Sequence, residues 1–479
     1  MQIDMFEESR RNESRLISKF QNSMLLSAVG DSLGWPLEFK KRNGVSNLRD
    51  FLKWKKLVGG KWWGYVDTIG AGEYSDDTQL TLSVARSIDH EGNFRPDYFA
   101  YLELPLWLHY ERGGGRSIKA AARNILKRRS TWWSNFYRTK EIEYSQAGAN
   151  GVSMRNLPIA LVNLNNETQF VNDTFRNAIV THGHPRAIVG ALLIGGAQIY
   201  LLKHENIQVT EIVKFLKDLI SRADAVAMAN DDISGWLKMR IKLSPFQKEM
   251  EQTLGETRLF LDKLEDYLNK GDEQYYELTK AFDIGFKGSG TSTAMVGLYL
   301  AMKYLMDPEQ ALFVAVNALG SDTDTIAGFV GSLIGAYYGD SVPSERLKDL
   351  ASRIQDKRYL MSVARALWQA IFDKPMLKQS KALGKTESLL RIIAWEIGLH
   401  ELFWEALEEG SIVIHPTLGR GEIQGKILKQ MQRDDYQAKI VKIKFDIGQT
   451  TYFHSRVSKF GALGESLSRE VEKELMSTK

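Results

Sequence analysis

The sequence contains no cysteine. This absence excludes a disulfide framework, a thiol nucleophile, and iron–sulfur or zinc sites that depend on cysteine ligands. A membrane-spanning helix is not expected either, because the longest apolar run, Ile188–Leu202, is shorter than the roughly 20 residues that such a helix needs. The N-terminal residues Met1–Arg15 are charged and lack an apolar core, so no signal peptide is expected. We therefore expect a cytoplasmic protein with no membrane partner.

Positive charge is concentrated in one short C-terminal segment. The chain of 479 residues carries 63 Lys+Arg and 59 Asp+Glu, for a net charge of +4. Between Ser411 and Phe460 nine basic residues stand against four acidic ones, whereas residues 1–410 are close to neutral. A local excess of this kind predicts docking to nucleic acid or to a protein partner. The alternative is a solvated basic surface that packs on the rest of the protein.

Two types of secondary structure are expected along the chain. From Leu16 to about Asp373 apolar residues recur at three- and four-residue spacing, and no convincing run of strands interrupts them, which predicts an all-α core. Glycine and alanine recur in several of these helices, as in Ile188–Leu202 and Thr325–Tyr337, and small residues let neighbouring backbones approach closely. After residue 410, alternation in Lys439–Phe445 and frequent glycines predict a small β-barrel.

These patterns predict four parts of the chain. They are a catalytic domain over residues 1–375, a helical connector over 376–409, the β-barrel over 410–462 and a charged tail over 463–479. Deletion of the residues after about 408 is then expected to leave turnover of small substrates intact.

Two short acidic motifs, far apart in the sequence, carry the main chemical signal. Gly72–Thr78 and Gly320–Thr325 each precede an apolar helix, and each supplies two aspartates where helix capping needs one. Adjacent carboxylates disfavour ionisation unless a cation joins them. If the two helix starts face each other, they form an oxygen-only cage, with hydroxyls of neighbouring serine and threonine residues completing it. Such a donor set selects Mg²⁺ or Mn²⁺, and four carboxylates can neutralise two divalent ions.

Three further motifs suggest a cleft beside that cage. Gly30–Gly34, followed by Glu38, places Asp31 and Glu38 in loops that point into a cleft, or else forms a turn with solvated acids. The Gly/Asn loop Gly148–Arg155 offers backbone N–H groups that can cradle phosphate, with Arg155 as a counter-charge. Thr181–Pro185 supplies two imidazoles before an apolar helix, where a cap or a surface turn is the alternative.

Two aromatic and basic segments have two readings each. Trp132–Tyr144 is rich in aromatic residues and follows the basic run Lys127–Arg129, and Trp54, Trp62 and Trp63 lie beside lysines. Each is either a base-stacking, nucleic-acid surface or an amphipathic segment packed on the helical core, and the second reading is favoured.

Taken together, the motifs GDSLG with Glu38, SDDT, GANGVSMR, THGHP and GSDTDTIAG occur in an order that resembles the ADP-ribosylglycohydrolase family. The resemblance covers about Leu16–Asp373. It implies an all-α orthogonal helical bundle with a binuclear Mg²⁺ or Mn²⁺ centre. Two positions depart from the family pattern, since Ser321 and Ala149 stand where relatives usually have glycine. The C-terminal strands resemble the Tudor/SH3-like modules that end some superfamily-1 DNA helicases.

The resemblance also implies roles for individual residues. The implied metal ligands are Ser75, Asp76, Asp77, Asp322, Asp324 and Thr325. The residues that fall where relatives line the ADP-ribose cleft are Asp31, Glu38, Asn150, Gly151, Met154 and His182. For catalysis, Glu38 or Asp31 is expected as the acid/base, with Asp322 or Asp324 orienting the attacking water; the sequence leaves this choice open.

The activity expected from this resemblance is metal-dependent hydrolysis of the glycosidic bond that links ADP-ribose to a protein side chain or to nucleic acid. Vicinal ribose hydroxyls can chelate the metal ions and hold the anomeric carbon beside an activated water. Carboxylates near the site stabilise the oxocarbenium-like charge. Two alternatives remain: a non-hydrolytic ADP-ribose-binding module, and a hydrolase of a free ADP-ribosyl metabolite. Four metal-site acids argue against the binding module, which has no need of them.

Overall fold

The structure, a computed structural model of the whole chain, describes residues 2–59, 64–127, 130–372, 383–404, 408–432 and 436–458. It separates into two compact units. The larger unit comprises Met1–Leu52 and Gly72–Leu390, and the smaller unit comprises Lys53–Ala71 and Arg391–Lys479. The division therefore falls inside one long helix, Lys385–Trp404. The boundaries after residues 375 and 409 stay predictions, and the tail 463–479 lies outside the described residues.

The larger unit is helical. In chain order its helices are α1 Gln2–Gly34, α2 Asp76–Arg86, α3 Pro96–Tyr98, α4 Leu104–Trp107, α5 Arg116–Ile125, α6 Leu157–Val162, α7 Glu167–Ile179, α8 Pro185–Lys203, α9 Val209–Met228, α10 Asp231–Arg240, α11 Phe246–Tyr267, α12 Asp272–Leu278, α13 Gly290–Lys303, α14 Pro308–Asn317, α15 Thr323–Tyr338, α16 Glu345–Arg353, α17 Lys357–Phe372 and α18 Lys385–Trp404, the last shared with the smaller unit. A π-helical turn, Phe99–Glu103, joins α3 to α4. The apolar helices predicted over Ile188–Leu202 and Thr325–Tyr337 correspond to α8 and α15.

The centre of the larger unit is the pair α1 and α15, which pack against each other more extensively than any other two helices of the described chain. Glycines make this contact possible. A Cβ on Gly331 of α15 would lie 2.0 Å from the carbonyl oxygen of Leu26, and a Cβ on Gly30 of α1 would lie 2.1 Å from that of Ala327. The two backbones are therefore in contact, as the small-residue spacing predicts. This packing fixes the C-terminal end of α1 beside the N-terminal end of α15.

Helix α8 is long and apolar enough to cross a membrane, with a mean hydropathy of 1.5 over its most apolar 18 residues. In the structure 94% of this stretch is buried inside the protein. The helix therefore forms part of the core of the larger unit, where it packs against α13.

A β-hairpin interrupts the helical sequence, contrary to the expectation of an all-α core. Strand β1, Trp54–Val58, pairs antiparallel with β2, Tyr65–Ile69. The hairpin belongs to the smaller unit. Trp54, expected in an amphipathic or base-stacking segment, begins β1, while Trp62 and Trp63 lie outside the described residues.

The C-terminal strands form an open sheet and not the barrel that the sequence predicts. They are β3 Ile412–His415, β4 Gly419–Gln430, β5 Tyr436–Phe445 and β6 Thr450–Ser458, all antiparallel and in the order β3-β4-β5-β6. Within the described residues β3 and β6 are the two edges and do not pair with each other. The resemblance to a closed Tudor/SH3-like module is therefore not supported by this topology.

Each face of the sheet packs against another part of the smaller unit. One face packs Ala438 and Ile440 against Tyr65 of the hairpin, in a cluster that also contains Met431 and Tyr452. The hydroxyl of Tyr65 is 2.8 Å from Nδ1 of His454. On the other face Trp395 of α18 makes edge-on ring contacts with His415 and Phe453. The smaller unit thus draws its layers from three separated stretches of the chain.

Candidate metal and substrate site

The two acidic motifs occupy the starts of α2 and α15, and the structure brings these two starts together. Ser75 is the N-cap of α2, and its hydroxyl accepts a hydrogen bond from the backbone N–H of Asp77 at 3.1 Å. Asp322 is the N-cap residue of α15. The hydroxyl of Thr325 donates to the Asp77 carboxylate at 2.8 Å, across 248 residues of sequence. The convergence that the motifs predict is therefore present in the fold.

Asp31 lies near the end of α1 and acts as a second cap for α2. Its carboxylate is 1% exposed and accepts hydrogen bonds from the backbone N–H groups of Ser75 and Thr78, at 3.1 Å each, and from the Thr78 hydroxyl at 2.6 Å. Burial raises the pKa of Asp31 to about 6, against the opposing effect of the Thr78 hydrogen bond. Three donors thus hold Asp31 between the end of one helix and the start of another.

Glu38, Asp322 and Asp324 form a compact acidic cluster. One carboxylate oxygen from each lies within 4.8 Å of the others. Glycine again explains the approach, because a Cβ on Gly34 would lie 2.5 Å from Cα of Asp324. Glu38 follows α1 after the short turn Trp35–Leu37, so the end of α1 carries this carboxylate to the start of α15.

The electrostatics of the site favour a bound cation. Burial raises the pKa of Asp77 well above its usual value, and the charges of Asp324 and Asp31 raise it further. Burial also raises the pKa of Asp322 well above its usual value, again with Asp324 as the largest charge. Carboxylates that repel one another in a buried site are stabilised by a divalent ion. Every donor in the set is an oxygen, which fits the preference of Mg²⁺ and Mn²⁺.

The implied ligand Asp76 lies at the first residue of α2. It is 8% exposed, and its backbone N–H donates to the carbonyl of Arg112 at 2.9 Å. All six implied ligands, Ser75, Asp76, Asp77, Asp322, Asp324 and Thr325, are thus placed on two adjoining helix starts.

Lys287 was not predicted as a site residue. Its ammonium donates to the backbone carbonyl of Glu38, and its charge opposes the rise in the pKa of Asp322. Lys287 is in the loop Gly285–Ser289, which precedes the apolar helix α13. The SDDT, THGHP and GSDTDTIAG motifs also lie at helix starts, so that position is the signal that identifies this loop.

The Gly/Asn loop lies beside the acidic cluster. The side-chain amide of Asn150 donates to the Asp322 carboxylate at 3.2 Å, and its backbone N–H donates to the carbonyl of Gly288 at 2.8 Å. The carbonyl of Met154 accepts from the Thr81 hydroxyl of α2 at 3.0 Å. These contacts tie the loop to both sides of the site.

His182 and Arg155 support this loop from inside the protein. A Cβ on Gly151 would lie 2.9 Å from Cε1 of His182, so the ring packs directly on the loop. His182 is 1% exposed, and burial lowers its pKa well below the usual value, which keeps the imidazole neutral. Its Nδ1 is 2.7 Å from the Thr181 hydroxyl.

Arg155 is placed differently from the phosphate counter-charge that the sequence predicts. It is fully buried. Its guanidinium donates to the carbonyl of Gly151 at 2.9 Å, to Asn177 at 2.8 Å and to the Thr181 hydroxyl at 2.8 Å. The side chain therefore braces the Gly/Asn loop against α7, because its donors are directed to protein acceptors.

A cavity of about 620 Å³ lies on the other side of the loop. Gly148, Ala149, His184 and Gly288 are among its lining residues. Gly288 connects it to the acidic site, since a Cβ there would lie 3.0 Å from Oδ2 of Asp322. The cavity thus adjoins the acidic cluster and has the size of a typical small-molecule site.

Residues 12–375 match the family model of the ADP-ribosylglycohydrolases. The chain therefore belongs to the ADP-ribosylglycohydrolase family, which implies a hydrolase that acts on ADP-ribose linkages. A solved structure titled "ADP-ribosylglycohydrolase-related protein complex" has the same fold, with a TM-score of 0.51 and 19% identity, covering 74% of this chain and 99% of the other.

Three proteins with similar sequences match most of this chain at 22–28% identity. The chain is 28% identical to an uncharacterised protein of Archaeoglobus fulgidus over 73% of its length and 96% of that protein. It is 22% identical to the ADP-ribosylhydrolase ARH3 of Gallus gallus, covering 67% of this chain and 86% of ARH3. It is 23% identical to the ADP-ribosylarginine hydrolase Tri1 of Serratia proteamaculans, covering 71% and 80%. The relative whose name specifies ADP-ribosylarginine and the one whose name specifies no attachment residue match about equally well.

Proposed function

We propose that this protein removes ADP-ribose from a modified macromolecule by hydrolysing the glycosidic bond at the anomeric carbon, with two divalent cations, Mg²⁺ or alternatively Mn²⁺. The observation that carries the proposal is the cluster of Glu38, Asp322 and Asp324, whose carboxylate oxygens lie within 4.8 Å of one another beside the joined starts of α2 and α15. In this family a partly buried, oxygen-only acidic cluster is best explained as a metal-dependent catalytic centre.

The residues that would hold the cations are Ser75, Asp76, Asp77, Asp322, Asp324 and Thr325. When bound, the cations would supply Lewis acidity, lowering the pKa of a water and orienting the ribose hydroxyls. Around them, the Thr325 hydroxyl fixes the Asp77 carboxylate, and Asn150 fixes that of Asp322. Asp322 or Asp324 would orient the attacking water, because a carboxylate oxygen of each lies within 4.8 Å of one from Glu38.

The contacts favour Glu38 over Asp31 as the acid/base. Asp31 is buried, and three donors at the start of α2 form hydrogen bonds with its carboxylate. Proton transfer between Asp31 and the substrate would require these hydrogen bonds to break. Glu38 is half-buried and belongs to the carboxylate cluster. A group that exchanges protons with substrate needs access to the cleft. Asp31 would then be a positioning residue that holds the start of α2 beside the start of α15.

The remainder of ADP-ribose would lie along the Gly/Asn loop and in the cavity beyond it. Asn150, Gly151 and Met154 are in that loop, and neutral His182 supports it. Arg155 would contribute through the loop and not by direct contact. Ala149, where relatives usually have glycine, lines the cavity, so it would affect substrate contacts more than catalysis.

The macromolecule that carries ADP-ribose is either a protein or a nucleic acid. The basic segment 410–462 would dock that target, because its charge attracts a polyanion. Protein docking through the same segment is the alternative. We place the reaction in the cytoplasm, consistent with the absence of cysteine.

The experiment compares release of free ADP-ribose from ADP-ribosylated protein and from ADP-ribosylated DNA, with Mg²⁺ and with a chelator. The test variant is Asp76→Asn/Asp77→Asn. The control is Asp231→Asn/Asp232→Asn, which removes the same pair of acids from the first turn of α10. We expect Mg²⁺-dependent release by wild type and control, and a loss of at least 100-fold in the test variant. Binding of ADP-ribose without release from either substrate would establish a non-hydrolytic module instead.

A further inference from the structure

A second cavity of the larger unit, of about 410 Å³, is strongly basic. We call it the basic groove. One wall is α5 and the residues that follow it, and the other wall is the segment 137–141. Six of its eleven lining residues are basic and one, Glu141, is acidic. The six are Arg116, Lys119, Arg123, Lys127, Arg138 and Lys140.

Much of this positive charge is not neutralised by the protein. Arg116 and Arg138 make ion pairs with Glu141 and Glu143, but the arginine side chains are 73% and 82% exposed. Exposed ion pairs of this kind contribute little to stability, so the arginines can exchange the glutamates for another anion. Arg123, Lys127 and Lys140 are exposed and form no ion pair within the described part of the chain.

The basic residues follow one line along the groove. Arg116, Lys119 and Arg123 share one face of α5, since residues three and four apart are neighbours on a helix. At a rise of about 1.5 Å per residue, their Cα positions advance by about 4.5 and 6 Å. A nucleic-acid strand carries one phosphate for every ~3.4 Å or more of its length. A row of cations with this spacing can contact successive phosphates.

Aromatic residues also lie near this surface. Tyr137 lines the groove, but it is 4% exposed and its hydroxyl donates to the carbonyl of Thr181 at 3.0 Å. Half-buried Trp132 and Trp133 precede the second wall by a few residues in the chain. Aromatic side chains beside a basic track are typical of proteins that bind single strands, where bases stack and phosphates meet cations. An acidic peptide offers no bases that could stack on the two tryptophans. Three of the six cations are arginines, whose planar donors match phosphate.

The groove also adjoins the candidate substrate site. Arg116 lines both the basic groove and the cavity beside the Gly/Asn loop. A strand in the groove would therefore pass within one side chain of the place proposed for ADP-ribose. From this arrangement we infer that the basic groove binds the phosphate backbone of single-stranded nucleic acid. This inference does not depend on hydrolysis, because binding of unmodified nucleic acid tests it without metal.

The test measures fluorescence anisotropy of a labelled 12-nucleotide oligo(dT) with the full chain at several salt concentrations. The groove variant is Arg123→Glu/Lys127→Glu/Lys140→Glu. The control is Lys214→Glu/Arg358→Glu/Arg365→Glu, which reverses three exposed cations of the same unit outside the groove. Both variants change the net charge equally, so a general loss of positive charge affects them alike.

We expect the groove variant to bind at least 10-fold more weakly and the control to stay within 2-fold of wild type. The salt dependence should fall as well, by about 2 in the slope of log K against log salt, because each lost phosphate contact accounts for about 0.7. Equal weakening in both variants, or none in the groove variant, would overturn the inference. So would a labelled 12-residue polyglutamate that binds as tightly as the oligonucleotide.

A second measurement guards against misfolding of the charge-reversed protein. The variant Arg123→Gln/Lys127→Gln/Lys140→Gln removes the charges without adding repulsion, and should show the same direction of change. Ultraviolet cross-linking of wild type to the oligonucleotide should also modify the peptide that contains Trp132–Tyr137. Cross-links confined to other peptides would contradict the assigned location.

Discussion

Thr325 donates a hydrogen bond of 2.8 Å to the carboxylate of Asp77 and so joins two helix starts that are 248 residues apart. The same residues belong to the two acidic motifs, and each helix start is fixed by further contacts. Asp31 holds the start of α2, while the packing of α1 on α15 places Asp322 and Asp324 beside Glu38. The cluster of carboxylates is thus a product of the helix packing.

Loss of the Thr325 hydroxyl should weaken the metal site. In Thr325→Val the Asp77 carboxylate loses a donor and the proposed cations lose a ligand, while the side-chain volume is nearly kept. We expect the affinity for Mg²⁺ to fall by about 10- to 100-fold, as is typical when a group that orients a metal ligand is removed. Isothermal titration with Mg²⁺ measures this affinity. Thr325→Ser keeps the hydroxyl and should stay close to wild type; equal losses in the two variants would show that the hydroxyl is not responsible.

The contact between α1 and α15 should not tolerate a side chain at Gly331. Its Cβ would lie 2.0 Å from the carbonyl oxygen of Leu26. Gly331→Ala should therefore lower the free energy of unfolding by about 1–3 kcal/mol or more through overpacking. Gly255→Ala is the control, because nothing lies within 4 Å of a Cβ at that exposed position of α11. There alanine should stabilise the protein by about 0.5–1 kcal/mol. Denaturant titration gives both values, and a neutral Gly331→Ala would contradict the close contact.

Helical periodicity and the order of motifs were sufficient to predict the larger unit. The apolar helices begin and end within a few residues of their expected positions, and family membership is confirmed. The acidic motifs meet as expected. The direction of a single side chain was harder to predict. Arg155 follows a glycine-rich loop, which suggested a phosphate contact, but the sequence does not show whether its guanidinium points to the cleft or to α7.

Long-range pairing explains the errors in the smaller unit. The strands of the hairpin have five residues each and lie in a helical context, so their alternation is a weak signal. Whether β3–β6 close into a barrel depends on whether the edge strands β3 and β6 pair, and in the described residues they do not. The apolar side chains of the sheet are covered by other parts of the chain instead. Here the cover includes Tyr65, which lies 389 residues before His454. No local pattern in either segment indicates that partner.

The hairpin should contribute to the stability of the C-terminal sheet. Tyr65→Ala removes the aromatic ring from the cluster with Met431, Ala438 and Ile440. We expect a loss of about 3–5 kcal/mol in the stability of the smaller unit, as for other large-to-small changes of buried aromatic residues. Tyr65→Phe removes only the hydrogen bond to His454 and should cost about 1 kcal/mol. Hydrogen exchange in β5 and β6 measures both; unchanged exchange in Tyr65→Ala would exclude this packing.

Deletion of the residues after 408 should therefore make the remaining protein prone to aggregation, which the sequence does not indicate. It would remove Met431, Ala438 and Ile440 and expose Tyr65, which is 2% exposed in the full chain. We expect the truncated protein to aggregate more readily than one that also lacks residues 53–71. Light scattering on heating compares the two proteins, and equal behaviour would show that the hairpin is stable alone.

Stability should fall in mild acid through His184. Burial lowers the pKa of His184 to about 4, below the ordinary value of about 6.5. The unfolded chain therefore binds more protons between these pH values, so this contribution to stability is complete above pH 6.5 and is lost as the pH falls towards 4. For one proton, the free energy of unfolding changes by at most about 1.4 kcal/mol per pH unit.

The variant His184→Asn tests this dependence. The imidazole now accepts the N–H of Arg186 at the start of α8 at 3.1 Å, and asparagine is a good replacement at an N-cap. Unfolding free energies of the variant should depend less on pH between 6.5 and 5 than those of wild type. Identical slopes would assign the acid sensitivity to other groups.

In the proposed site, Asp76 and Asp77 of one helix start and Asp322 and Asp324 of the other surround bound divalent cations. Anomalous diffraction from crystals grown with Mn²⁺ tests it directly. Strong anomalous peaks should then lie within about 2.5 Å of carboxylate oxygens from both helix starts. Saturating Mn²⁺ that leaves this position without a peak, or that binds only elsewhere on the chain, would contradict it.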